Sequence, residues 1–253
     1  MSSQVTQSKV KAFAVNNTML FFAVILFAAC MIGVPRFATG GNLMNILIQV
    51  SINALIACGM TFVILSDGID LSVGSVAAIA GVAGARLIKQ MPDAGIAACI
   101  AVILVTAVVV GTICGSINGF CIAKLNVPPF IATLAMMNAA RGLAYVFTDA
   151  KPVFGLPDSF GWVGLRSIGV IPVSIVLMVI VIGLSYLVLS KTCFGRYIYA
   201  VGSNKEVAKL TGINVTMTRF SVYVISGILA ALAGLVLASK LQNGQATAAT
   251  GYE

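Results

Sequence analysis

The 253-residue chain contains no histidine, which removes histidine triads, zinc sites of the HExxH kind and imidazole proton shuttles from consideration. Charge is scarce as well: Asp, Glu, Lys and Arg make up 9% of the residues, against the ~25% usual in a soluble domain. Acids are the scarcest, 7 against 15 Lys and Arg. The resulting formal charge of +8 is spread between long uncharged runs, which argues against a nucleic-acid partner. No Gly-Lys dipeptide occurs, so the chain has no GxxxxGK[ST] phosphate loop and cannot supply an ATP site of that type. The six cysteines form no CxxC pair, and five of them lie inside apolar runs, where they read as small buried hydrophobes. Neither a metal site nor a cofactor nor a catalytic residue is expected.

Apolar sequence is what the chain has in abundance: 60% of residues are hydrophobic. A membrane span needs about 20 largely apolar residues. Uncharged stretches of 24 residues between Lys11 and Arg36, 30 between Arg36 and Asp67 and 30 between Asp93 and Lys124 each hold one. Ser167 to Ser190 and Phe220 to Ser239 supply 24 and 20 more, and Leu71 to Ile88 and Pro129 to Thr148 are shorter candidates. The expectation is an all-α, polytopic helical bundle of about seven spans, forming a single transmembrane domain over residues 1–253. Small residues at four-residue spacing, Gly111, Gly115 and Gly119, would pack the helices closely, as would Gly81 to Gly84 and Ala230, Ala233 and Gly234.

Orientation follows from Lys and Arg in short loops. Residues 191–219 carry Lys191, Arg196, Lys205, Lys209 and Arg219 against the single acid Glu206, which places this loop in the cytoplasm. Counting back puts Lys9, Lys11 and Lys124 inside too, with a cytoplasmic N-terminus. Arg36, Arg86, Lys89, Lys151, Arg166 and Lys240 then lie outside.

Polar groups inside an apolar chain need a reason, since a charge at the bilayer centre costs about 2.5–3.5 kcal/mol on insertion scales. The stretch Ser66-Asp67-Gly68-Ile69-Asp70-Leu71-Ser72-Val73-Gly74 places two carboxylates between two apolar runs. Asp70 is positioned to accept from the free amides of a helix beginning at Leu71. This is either a broken or re-entrant helix of the kind that builds transport sites, or a tight Asp-Gly turn in water. Arg141 stands 12 residues into the run that starts at Pro129, about 18 Å along a helix, where it either snorkels to the interface or lines a pathway. Asn53, Asn118 and Asn138 can bond a hydroxyl-rich ligand or a neighbouring helix. In the outer loop from Asp149 to Gly169, Phe154, Phe160 and Trp162 either sit in the headgroup belt or receive a partner.

The most specific local signal lies in the 191–219 loop. Ser203 and Glu206 form an S-x-x-E capping box, and Gly212 is a C-terminal stop. A helix of about eight residues between them is too short to stand alone in water. Val207 and Leu210 share a face with Ala208 beside them, the pattern of a helix that docks in a groove of another protein; the alternative is packing on its own bundle or on lipid.

The run from Gly59 to Ser75, with Gly68-Ile69-Asp70-Leu71-Ser72-Val73-Gly74 at its centre, resembles bacterial ABC-importer permeases for ribose, xylose, arabinose and galactosides. The Gly195 to Gly212 stretch resembles that family's cytoplasmic coupling segment. Pro129-Phe130-Ile131-Ala132-Thr133-Leu134 and Ala140-Arg141-Gly142-Leu143-Ala144 extend the similarity over essentially the whole chain. The resemblance implies a multi-pass permease of the bacterial inner membrane, of which this chain lacks the C-terminal spans. It also implies a second permease copy or paralogue, a cytoplasmic ATP-binding subunit and a periplasmic sugar-binding protein as partners. By the same resemblance Gly202, Ser203, Asn204, Glu206, Val207, Ala208, Leu210 and Gly212 form the coupling helix. Asp67, Gly68, Asp70 and Ser72 lie by the translocation path, with Asn53, Asn118, Asn138 and Arg141 as further pathway candidates. Alternatives are a permease for branched-chain amino acids or nucleosides, an ion-coupled secondary transporter using Asp67 or Asp70, and a membrane scaffold that transports nothing.

Overall fold

The computed structural model describes residues 18–253, so the placement of Lys9, Lys11 and the N-terminus lies outside the described residues. Seven helices of 16 or more residues occur among them: α1 (Thr18–Gly33), α2 (Gly40–Leu65), α3 (Val73–Lys89), α4 (Ile96–Ala123), α5 (Pro129–Thr148), α7 (Val173–Lys191) and α10 (Val215–Leu241). Between them lie a one-turn helix α6 (Trp162–Leu165), α8 (Cys193–Ser203) and α9 (Lys205–Leu210). Five helices are long and apolar enough to cross a bilayer, while α1 and α3 are shorter. The expected polytopic bundle is therefore present, with each uncharged run carrying its helix.

Two units make up the chain, residues 1–47 and 48–253. Within the described part of the first, α1 ends at a turn where Arg36 adopts φ +65°. Phe37 stacks edge-on against Phe27 at 5.3 Å, and the Phe37 carbonyl accepts from Asn42 Nδ2 at 2.8 Å.

In the second unit α3 is the central helix: 13 of its 17 residues are buried, which its Ala, Gly and Val content permits without bulky side chains to accommodate. It packs on α4, α5 and α10. The principal helix pair is α4 with α10, and glycine decides its closeness. A Cβ at Gly111, Gly115 or Gly119 would collide with the α10 backbone at Ile228, at Tyr223 and Val224, or at Phe220. Gly234 of α10 likewise abuts the Ala77 backbone of α3. Lipid tails give helices no hydrophobic reason to associate, so this backbone approach supplies the dispersion contact that holds the bundle. By contrast α7 buries only Val173, Ser174 and Val181, leaving most of its apolar surface outward.

The run from Ser167 begins differently from the expected span. A short hairpin pairs Ser167–Ile168 with Ile171–Pro172 around Gly169 at φ +64°, and α7 starts only after Pro172. The connection between α5 and α7 folds onto the bundle and buries one of its aromatics. Phe160 is fully buried, its carbonyl accepts from Ser239 Oγ at 2.6 Å, and the same hydroxyl oxygen accepts from Gly164 N at 2.9 Å. Phe154 remains exposed.

Candidate transport pathway and coupling segment

Helix α8 opens with Thr192 Oγ1 accepting from Gly195 N at 3.2 Å. Its Ile198 joins a buried cluster with Phe62, Val63, Ile122, Ala132, Val222 and Tyr223, drawn from α2, α4, α5 and α10. Gly202 rests directly on the Leu65 carbonyl, a contact that leaves no room for a side chain. Gly202 and Ser203 thus belong to α8, and the expected Ser203 capping box is replaced by a cap one residue later. Asn204 Oδ1 accepts from Glu206 N at 3.0 Å and Val207 N at 3.1 Å. The reason is that α8 carries helical geometry through Ser203, so the first residue with extended backbone, φ −160°, is Asn204. Helix α9 is accordingly six residues long, and Gly212 at φ +83° ends the turn that follows it, as its composition suggests. Ala208 faces the bundle at 2% exposure, whereas Val207 and Leu210 stand out at 54% and 87%.

Asp67 closes the end of α2 in left-handed geometry, φ +57°, and its Oδ2 lies 2.8 Å from Lys205 Nζ. Gly68 sits under Tyr223, where a Cβ would meet the phenol oxygen at 2.5 Å. The interruption expected near Asp67–Gly74 is therefore a compact break of residues 66–72 between α2 and α3, on the same end of the bundle as α8 and α9.

Asp70, 1% exposed, is enclosed. Its Oδ1 accepts from Ser72 N at 3.0 Å and Ser72 Oγ at 2.6 Å, and its Oδ2 accepts from Ser226 Oγ at 2.9 Å. Ser72 Oγ in turn accepts from Asn118 Nδ2 at 2.9 Å. The carboxylate does bond an amide near the start of a helix, as its spacing predicts, but α3 begins at Val73 rather than Leu71. This chain of hydrogen bonds ties the α2–α3 break to α4 and α10, and every member is buried.

Another segment that the sequence does not announce packs along the bundle, with Gly244, Ala246 and Ala249 buried and Thr247, Thr250, Gly251 and Glu253 exposed. After α10, residues 243–253 turn back along α3: Gly244 lies against Gly81, Val82 and Ala85, while Ala249 lies against Gly74. These contacts span Gly74 to Ala85 of α3, a rise of about 16 Å at 1.5 Å per residue. The segment is irregular, with Ala249 at φ +53° and Gly251 at φ +84°. Irregular backbone at membrane depth survives only where protein satisfies it or it lines a cavity. Two of its carbonyls are satisfied by protein, and its end lines a cleft. Arg141 Nη1 donates to the carbonyls of Ala246 at 2.6 Å and Ala248 at 2.8 Å, and Nη2 lies 3.8 Å from Glu253 Oε1, so the guanidinium faces the returning segment. Gln49 Nε2 donates to the Tyr252 hydroxyl, and Gln49 Oε1 accepts from Lys240 Nζ at 3.4 Å. A cleft of about 410 Å³ is lined by Asn53, Ile56, Ala57, Met60, Gly251, Tyr252 and Glu253.

Of the candidate pathway residues, Asp70, Ser72 and Asn118 form one network, and Asn53 and Arg141 border the returning segment. Asn138 is exposed, and its Nδ2 bonds the Leu134 carbonyl of its own helix at 3.0 Å. Gln49 and Tyr252 are the residues that sequence reasoning missed. The available signal was Arg141, an arginine within a span that had no partner nearby in sequence.

Comparison with known proteins agrees with this architecture. The family model described as branched-chain amino acid transport system / permease component matches residues 42–253. The ribose import permease protein RbsC of Haemophilus influenzae is 39% identical over all of this chain and 78% of its own length. RbsC of Escherichia coli K12 is 41% identical over 96% of this chain and 75% of its own. The L-arabinose transport system permease protein AraH of the same strain is 40% identical over 93% of this chain and 70% of its own. No solved structure gives a significant match. The chain belongs to this family of ABC-importer permease components.

Proposed function

We propose that the chain is the translocating subunit for a monosaccharide, ribose or a close analogue, in an ATP-driven importer of a bacterial inner membrane. The substrate class rests on relatives named for ribose, arabinose and galactofuranose. These names also favour sugar over branched-chain amino acids despite the family's description.

The observation that carries the mechanism is the exposed Val207 and Leu210 on a capped six-residue helix whose opposite face is seated on the bundle. A helix this short has no independent stability, and two large apolar side chains in water invite a groove. The groove is that of a cytoplasmic ATP-binding subunit. Its movement on nucleotide binding passes through Ala208, Gly202 and Lys205 to the ends of α2 and α3, and the bundle rocks between outward- and inward-open states. The Lys- and Arg-rich 191–219 loop then faces the cytoplasm, as does the N-terminus. A periplasmic sugar-binding protein delivers substrate to the opposite end, and a second permease copy or paralogue completes the pathway.

Within the pathway, Asn53, Gln49, Tyr252 and Arg141 offer the amide, phenol and guanidinium groups that a polyhydroxylated ring requires. The 410 Å³ cleft beside them falls within the ~300–1,000 Å³ of small-molecule sites. Asp70, Ser72, Asn118 and Ser226 hold the helices that move. The test is ribose uptake into proteoliposomes containing the permease and its ATP-binding subunit, with binding protein outside and ATP inside. ATP-dependent uptake that persists when ionophores collapse all ion gradients supports the reading; uptake that follows a gradient without ATP overturns it in favour of a secondary transporter.

A further inference from the structure

On the face that carries α8 and α9, a second cleft of about 430 Å³ opens between the α4–α5 connection, α9 and the start of α10. Its charged lining is one-sided. Lys124, Lys205, Lys209 and Arg219 border it, with Glu206 the sole acid among the lining residues. Lys205 is already matched by Asp67 at 2.8 Å, which leaves three cations against one carboxylate.

Arg219 is the unusual member. It is 9% exposed, and one Nη reaches the Ile122 carbonyl only at 3.5 Å. Its Nε is buried with no partner. An unpaired guanidinium donor in a buried position costs free energy unless something occupies it. The cleft floor adds to this demand. Asn214 caps α10 by accepting from Met217 N at 2.9 Å, and Asn214, Val215 and Thr216, at the start of this 27-residue helix, line the cleft. A helix N-terminus, a buried guanidinium fork and two lysines converge on a volume that holds a phosphate and its first substituent.

We infer that this cleft binds a phosphate-bearing anion, held by Arg219 and the start of α10 and flanked by Lys124 and Lys209. The function is additional to sugar passage: the ligand bridges the α4–α5 connection and α9 to the base of α10, so its occupancy sets how firmly α9 is held to the bundle. The phosphate comes either from an anionic phospholipid headgroup, since the cleft lies at the end of spanning helices, or from a soluble phosphorylated metabolite.

The test uses the purified full chain without any ATP-binding subunit, so its outcome is independent of the coupling assignment. In the first arm, native mass spectrometry counts phosphatidylglycerol retained after detergent extraction, comparing the native chain with a Lys124→Gln/Lys209→Gln double variant. Both lysines are at the surface, so folding is not at stake. In the second arm, the chain in phosphatidylcholine nanodiscs is titrated calorimetrically with inorganic phosphate and with glucose 6-phosphate. Binding in either arm that weakens at least about tenfold in the double variant supports the site and identifies its source. Arg219→Lys, which keeps the charge but loses the fork, should weaken it as well. Absence of binding in both arms, or binding equal in native and double variant, overturns the proposal.

Discussion

Lys205 Nζ lies 2.8 Å from Asp67 Oδ2, joining the first residue of α9 to the end of α2 across 138 residues of sequence. The pair is partly solvent-exposed, so it contributes at most about 1 kcal/mol to stability. Its value is positional. Asp67→Lys should leave thermal unfolding within a degree or two yet lower sugar-stimulated ATP hydrolysis by the assembled importer. The reciprocal swap, Asp67→Lys with Lys205→Asp, should restore much of that loss. Equal activity in single and double variants would show that the pair does not hold the coupling segment.

The cap of α9 separates two neighbouring residues. Asn204→Ala removes an acceptor used by two amides and should cost about 1 kcal/mol locally, whereas Ser203→Ala should be close to neutral. Amide hydrogen exchange at Glu206 and Val207 reads this directly: exchange should quicken about fivefold in the first variant and remain unchanged in the second.

Asp70 serves three donors in a closed environment. Asp70→Ala strands the hydroxyls of Ser72 and Ser226, at about 1–3 kcal/mol for each group left unsatisfied. A lower unfolding temperature in detergent is expected, with much of it recovered in Asp70→Asn, whose amide oxygen still accepts from Ser72. An alanine variant as stable as the native chain would remove the network from the account.

Arg141 fastens the returning segment. Arg141→Met should free the carbonyls of Ala246 and Ala248 and raise the rate at which a cysteine placed at the buried Ala246 position reacts with a water-soluble maleimide. Unchanged labelling would mean that the segment is held by its other contacts, such as Gln49 with Tyr252.

Glycine spacing on α4 predicts the effect of bulk. Gly115→Leu drives a side chain into the backbone of Tyr223 and Val224. It should abolish accumulation of folded protein in membranes, while Gly183→Leu, with open space around it on α7, should be tolerated.

Much of this was legible in the sequence because membrane helices announce themselves by length and apolarity, and because Gly111, Gly115 and Gly119 fall on one helical face. The break at Asp67–Gly74 and the exposure of Val207 and Leu210 follow from local pattern. The identity of the α9 cap does not, since Ser203 and Asn204 are both able to cap and the choice depends on how far α8 continues while Ile198 and Val201 pack against the core. Nor does the role of Arg141, whose acceptors lie 105 and 107 residues away. The returning segment has the composition of an ordinary polar loop, and only tertiary structure shows that it packs along α3.

The most direct test of the central claim is co-purification from membranes of this chain with the family's ATP-binding subunit, comparing the native sequence with Leu210→Asp. Leu210 is 87% exposed, so the charge cannot disturb folding of the bundle. A stable complex is expected for the native chain and loss of the subunit from the variant; retention of the ATP-binding subunit by Leu210→Asp would contradict α9 as the coupling helix.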